Sequence, residues 1–193
     1  MVLGIGFMVW AGLNIRAQAV KPQPAARSAP ETFIVTMEHT VTPPPAVVAT
    51  QPVVTYPAKG AKGQTIGLLT IPALNQKLPI IEGTGVAELK KGVGHFSQSV
   101  LPGVADNCVL SGHRDTVFTR LGELKKGDRF VVETAAGRFN YKISKIRIVD
   151  KDDRTVIVPT EKAVLTVTTC YPFRYVGNAP DRYILSADLV TGD

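Results

Sequence analysis

Cys170 closes a β-branched run, Thr166-Val167-Thr168-Thr169-Cys170, and the chain then turns at Tyr171-Pro172-Phe173. Upstream, Ser111-Gly112-His113-Arg114-Asp115 places a histidine at the end of another apolar run, and Asp181-Arg182-Tyr183-Ile184 opens a third with an arginine. A thiol, a proton-transfer group and a permanent cation, each at a strand end, are the parts that cysteine-based acyl transfer requires. A free thiol ionises near pH 8.5, so a neighbouring cation is needed to raise its thiolate fraction at neutral pH. Each residue also has a plainer reading: Cys170 as a buried structural cysteine, His113 as a surface-turn residue, Arg182 as a salt-bridge partner of Asp181. Arg174, in the turn after the cysteine, competes with Arg182 for the cationic role.

Other reactive side chains are more scattered. Cys108 lies inside a strand-like run five residues before His113, and strand alternation puts the two on opposite faces, which makes Cys108 a small core residue. Two cysteines allow a single intramolecular disulfide and no disulfide framework. Neither has the short paired spacing of a metal site, so no metal ligand set is assigned. His95 reads as a turn residue. Asp150, Asp152 and Asp153 form an acidic loop that alone falls short of the six or more oxygens calcium takes.

The elements that must carry these groups are mostly strands. Ile66-Gly67-Leu68-Leu69-Thr70-Ile71 stops at a proline, and Lys77 to Glu82 contains Pro79, which suggests an edge or a strand start. Residues 84–91 predict a short helix behind Thr84, and Thr119 to Leu124 one further helical turn. Gly92-Val93-Gly94-His95-Phe96 reads as a glycine-punctuated turn. Residues 129–134 and 138–149 predict a hairpin, with Phe139, Tyr141 and Ile143 alternating against polar neighbours. Residues 163–169 and 182–190 complete seven or eight strands with one or two short helices, a mainly β chain expected to close as a barrel.

The chain is not uniform in texture. Residues 1–13 are almost wholly apolar, but short of the roughly 20 residues that span a bilayer. They read as the remainder of a membrane anchor covering 1–16, with a signal-peptide core or a buried segment as alternatives. Eight of the 14 prolines fall in residues 17–62, the composition of a semi-rigid spacer. Residues 63–193 are then the folded domain, long enough to bury roughly two-thirds of its unfolded surface. The net charge of +6 divides into +3 on either side of residue 62, and no basic run is interleaved with aromatics. That distribution excludes nucleic acid as the expected partner.

Taken together, these residues resemble the sortase family. Thr166-Val167-Thr168-Thr169-Cys170 is similar to its Thr-Leu-x-Thr-Cys pattern with valine in place of leucine, and Ser111-Gly112-His113-Arg114-Asp115 to its histidine segment. Arg182 falls where the family keeps an arginine, and His95-Phe96 followed by Leu101-Pro102-Gly103 also matches. The contexts Cys-Tyr-Pro-Phe and His-Arg-Asp-Thr-Val-Phe look most like class D. The resemblance covers residues 63–193.

It implies a membrane-anchored, extracytoplasmic thiol transpeptidase of a Gram-positive surface. Such an enzyme cleaves an LPxTG-like sorting signal after Thr and passes the acyl group to an amine of a lipid-linked peptidoglycan precursor. Cys170, His113 and Arg182 would be catalytic, with His95, Val158, Pro159, Thr169 and Tyr171 as substrate contacts and residues 150–162 as the specificity loop. No cofactor is required, although calcium bound at the acidic loop could stimulate. Two alternatives remain: a pilin polymerase with a lysine acceptor, and a wall-associated metal-binding module using His95, His113, Cys108 and Cys170.

Overall fold

Each β-branched or alternating run becomes a strand in the computed structural model, which describes residues 54–190. The strands are β1 (Thr65–Ile71), β2 (Gln76–Glu82), β3 (Val93–His95), β4 (Asp106–Ser111), β5 (Arg129–Thr134), β6 (Gly137–Asp150), β7 (Ala163–Tyr171) and β8 (Asp181–Val190). They close into a barrel in the order β1-β2-β3-β4-β7-β8-β6-β5. The α-helix α1 (Val86–Leu89) and two 3-10 turns, Pro72–Leu74 and Leu121–Glu123, are the other regular elements among the described residues.

Closure follows from the period-two pattern. Phe139, Tyr141 and Ile143 of β6 point inward beside Phe130 and Val132 of β5, and Leu165, Val167 and Leu185 fill the far wall. Burying a side chain of this kind contributes about 1.5–3 kcal/mol. β6 is long enough to serve two partners, pairing with β5 through its first half and with β8 from Asn140 onward, across a register shift at Ile143/Lys145. Most pairings are antiparallel, but β2–β3 and β4–β7 run parallel.

Of the stretch read as a glycine turn, Gly92 does lie in a bend, but Val93–His95 form strand β3. The glycines of this stretch serve close approach: a Cβ at Gly92 would lie 2.4 Å from the Pro79 carbonyl oxygen, and one at Gly94 2.5 Å from that of Gly83. Glycine in a short strand marks a neighbouring backbone as readily as a turn.

His95, at the end of β3, is fully buried rather than in a turn. Its Nδ1 lies 2.7 Å from Glu82 Oε2 and its Nε2 3.0 Å from the Val100 carbonyl oxygen. Both ring nitrogens are thus engaged, Nε2 also lying 3.2 Å from Ser99 Oγ. Ser99 completes the knot, donating to the Phe96 carbonyl and accepting from the Val109 amide. Glu82→Leu strands a buried imidazole and is expected to cost about 3–5 kcal/mol in denaturant unfolding.

Within the stretch read as spacer, residues 54–62 lie on the barrel. The Tyr56 hydroxyl donates to the Pro102 carbonyl at 2.6 Å, Lys59 Nζ donates to the Ser97 carbonyl at 2.6 Å, and Val54 packs on the core. The packed domain thus includes residues before Gly63. Residues 1–53, which hold the expected anchor and most of the spacer, are outside the described residues, as are 191–193.

Candidate active site

The parallel pair β4–β7 aligns Ser111 with Thr168, and the Gly112 amide extends that ladder by donating to the Thr168 carbonyl at 3.1 Å. Continuing the parallel register by two residues brings His113 level with Cys170. On the other side of β7, the antiparallel register sets Arg182 directly across from Cys170. Three adjacent strands therefore deliver His113, Cys170 and Arg182 to one end of the barrel, where all three line a single cleft of ≈ 350 Å³. Arg114, Asp115, Lys151, Gly177, Asn178 and Ala179 form the rest of its wall.

Arg182 is not held as the salt bridge that its neighbour suggested. Its Nη1 donates to the carbonyl oxygens of Asp181 at 2.9 Å and Ala179 at 3.3 Å, so the guanidinium is oriented by main chain and keeps its charge uncompensated by a carboxylate. Arg174 is exposed and does not line the cleft. A thiol, an imidazole and a fixed cation in one partly open cleft can perform nucleophilic attack, proton transfer and oxyanion stabilisation respectively.

Cleft size does not select this site. A pocket of ≈ 380 Å³ beside Glu82, Gly83 and Ser97 is as large and has neither a cysteine nor a histidine in its lining. A groove of ≈ 690 Å³ shares Lys151 with the cleft and is lined by the first part of the 151–162 loop, with Phe96 and Ile157 as its apolar walls. That loop is pinned at several points. Asn107 Nδ2 donates to the carbonyls of Val156 at 3.4 Å and Val158 at 3.1 Å, while its Oδ1 accepts from Thr166 Oγ1 at 2.7 Å. Arg147 holds Asp153 at 3.1 Å and Thr155 at 3.0 Å.

Other residues expected to touch substrate are placed differently. Thr169 is buried and donates to the Gly112 carbonyl at 2.7 Å, bracing the strand that carries His113. Tyr171, one residue past Cys170, faces the opposite way and stacks with Tyr183 in a separate aromatic groove. His95 is enclosed with Glu82, away from the cleft lining. Val158 and Pro159 are exposed on the loop, where Val158 contributes its carbonyl and Ile157 supplies the groove wall. The acidic loop has local duties: the Asp152 amide donates to Asp150 Oδ1, Asp152 pairs with Lys151, and Asp153 pairs with Arg147. Among the described residues no three His, Cys, Asp or Glu side chains converge on a metal position.

Cys108 sits in the core. Burial, reinforced by the charge of Glu82, pushes its thiol far above the usual range. Iodoacetamide at pH 8 is expected to label Cys170 alone in the folded protein and both cysteines after unfolding, read by peptide mass mapping. Because the folded Cys108 thiol keeps its proton where an unfolded one loses it, this group's contribution to stability declines as pH rises above about 8.5.

Arg114 was not singled out by the sequence. It directly follows His113 in a polar turn and carries no periodicity that would mark it as buried, yet only 7% of it is exposed.

A barrel with this strand order and a cysteine, histidine and arginine meeting at one end defines a class of cysteine transpeptidases. Residues 69–190 match the sortase domain model. The chain is 53% identical to sortase D of Bacillus subtilis over 134 residues, covering 69% of this chain and 68% of that protein. Among solved structures, a Clostridium perfringens sortase D5 transpeptidase superposes with TM-score 0.62 at 28% identity, covering 69% of this chain and 83% of that one. A pilus-related sortase C of Group B Streptococcus gives TM-score 0.61 at 27% identity, covering 66% and 68%. The chain belongs to the sortase family, and its likeness to sortase D supports class D. As a sortase it is a cysteine transpeptidase whose substrates are sorting-signal proteins and whose acceptor is a cell-wall precursor amine.

Proposed function

We propose that Cys170 is the nucleophile, His113 the proton-transfer group and Arg182 the oxyanion-stabilising cation of this sortase, acting on an LPxTG-like signal. The observation that carries the reading is the shared cleft at which β4 and β7 end and β8 begins. Cys170 Sγ attacks the threonine carbonyl carbon, and the guanidinium of Arg182 faces the charge that develops on oxygen. The C–N bond breaks as His113 gives a proton to the departing amine, leaving a thioester on Cys170. An incoming amine then attacks the thioester, His113 accepts its proton, and the C–S bond breaks with Cys170 leaving as thiolate.

The groove lined by residues 151–154 and Ile157 shares Lys151 with the cleft, which supports reading it as the channel for the peptide upstream of the scissile bond. Water in place of the amine would release the acid, so hydrolysis is the side reaction of the same intermediate. An anchor within residues 1–16 and a proline-rich tether would keep the barrel outside the cell, within reach of the membrane where the lipid-linked acceptor resides. Among the described residues no helix is long and apolar enough to cross a membrane, so this assignment rests on the sequence of the first segment.

The test is a fluorogenic LPxTG-type peptide offered with a small amine, a stem-peptide amine or a lysine side chain, the products being separated by mass. A new amide joined to the threonine carboxyl supports transpeptidation, and the acceptor that competes best separates wall anchoring from pilin polymerisation. Acid as the sole product with every amine would make the chain a thiol hydrolase.

A further inference from the structure

We infer that Arg114 is a positioning residue of the transpeptidase centre, a clamp that sets the wall opposite His113 by gathering the backbone of the loop between β7 and β8. The inference rests on the assignment of the cleft as the active site. Its basis is an unusual arrangement: a cation almost fully buried beside the catalytic cleft, with its charge directed at main-chain oxygens. Nη1 donates to the Pro172 carbonyl at 3.1 Å, and Nη2 donates to those of Tyr175 at 2.7 Å and Gly177 at 3.2 Å. Nε meets Asp115 Oδ1 at 3.3 Å, and the Tyr175 ring centroid lies 5.8 Å from the guanidinium carbon.

Three carbonyls spread over six residues of loop thus converge on one side chain. A planar guanidinium with five fixed N–H groups can hold such a set at once, whereas an ammonium cannot match its directions. Removing it takes the side-chain donor from these carbonyls and leaves the loop anchored only near its two ends, by Phe173 against Tyr171 and Tyr183 and by the buried Ala179. Gly177 has φ +101°, and Val176 is fully exposed, so neither contributes packing that would fix the loop.

The consequence reaches the reacting groups through two short connections. Gly177, Asn178 and Ala179 form one wall of the cleft, and the Ala179 carbonyl holds the Arg182 guanidinium. On the other side, Arg114 is peptide-bonded to His113. One side chain therefore ties the segment bearing the imidazole to the loop that orients the oxyanion cation, and its loss lets the two drift apart. Misplacement of about 1 Å in such a constellation costs on the order of 100-fold in rate.

The experiment compares the full chain with Arg114→Gln, Arg114→Ala and Arg114→Lys, using the sorting peptide and a saturating amine, with hydrogen exchange read in parallel. The expected result for Arg114→Gln is a kcat lower by about 100-fold with KM changed less than about threefold. Exchange should quicken in residues 173–180 while the amides of β4, β7 and β8 keep their protection. Added guanidinium ion should restore part of the Arg114→Ala rate and none of the Cys170→Ala rate, and Arg114→Lys should fall between Gln and wild type.

Wild-type kcat in Arg114→Gln overturns the clamp. So does lost protection spread across the barrel with no recovery by guanidinium, which would make Arg114 a general fold residue. If the unmodified chain itself shows no Cys170-dependent turnover, the active-site assignment fails instead; loop exchange then decides the clamp alone, and unchanged exchange in Arg114→Gln and Arg114→Lys rejects it.

Discussion

Cys170→Ala is expected to abolish peptide cleavage and amine transfer together, lowering turnover by on the order of 10⁴ or more, since the nucleophile cannot be bypassed within a covalent mechanism. The fold should survive, because Cys170 lies at the partly open cleft and fills no core position. Circular dichroism and the unfolding midpoint should therefore match the parent. Cys108→Ala gives the opposite profile: turnover within about threefold of wild type and a stability loss of order 1 kcal/mol, the ordinary cost of a small core truncation. The crossed pattern separates a chemical cysteine from a packing one, and steady-state kinetics with denaturant unfolding on both variants reads it. Equal loss of activity in both would contradict the division of roles.

The second large effect is at Arg182. Arg182→Ala is expected to reduce kcat by about 10²–10³ with little change in KM, the signature of a group that acts mainly as charge develops on the carbonyl oxygen. Arg182→Lys should recover only part of this loss. The guanidinium is oriented by two main-chain carbonyls, those of Ala179 and Asp181, and a lysine ammonium on a flexible stem cannot keep both while presenting donors to the oxyanion. Single-turnover measurements should place the defect in acylation. An Arg182→Ala variant whose KM rises while kcat holds would show that the residue only binds peptide.

How much of this was legible before the fold was known differs by residue. The strands were readable because their patterns are local: Phe139, Tyr141 and Ile143 alternate within one β6, and Thr166 to Cys170 is a run of residues suited to a pleated surface. The parts of the cleft were readable as residue types at strand ends. Their convergence was not, because it depends on the parallel pairing of β4 with β7 across more than fifty residues of chain, which no short-range pattern records.

The misreadings share that cause. Gly92 and Gly94 look like turn residues until the Pro79 and Gly83 carbonyls are brought against them. Thr169 and Tyr171 flank the nucleophile in sequence, but alternation along β7 sends them away from it, so adjacency in the chain was a poor guide to adjacency in space. Arg114 and Asn107 escaped notice because each is a polar side chain bonding to distant main-chain carbonyls, and carbonyls have no sequence signature. His95 escaped as a turn residue because its partner Glu82 lies on another strand.

The most direct test of the central claim is to trap the intermediate. The enzyme is mixed with an LPxTG-type peptide without added amine, quenched in acid within one turnover, and measured as intact protein by mass spectrometry. The account predicts an added mass equal to the peptide's N-terminal part through threonine less one water. That mass should be carried by the peptide containing Cys170, discharged by hydroxylamine and absent from Cys170→Ala. Turnover with no such adduct, or an adduct on any other residue, would contradict a thioester on Cys170 and with it the mechanism built around this cleft.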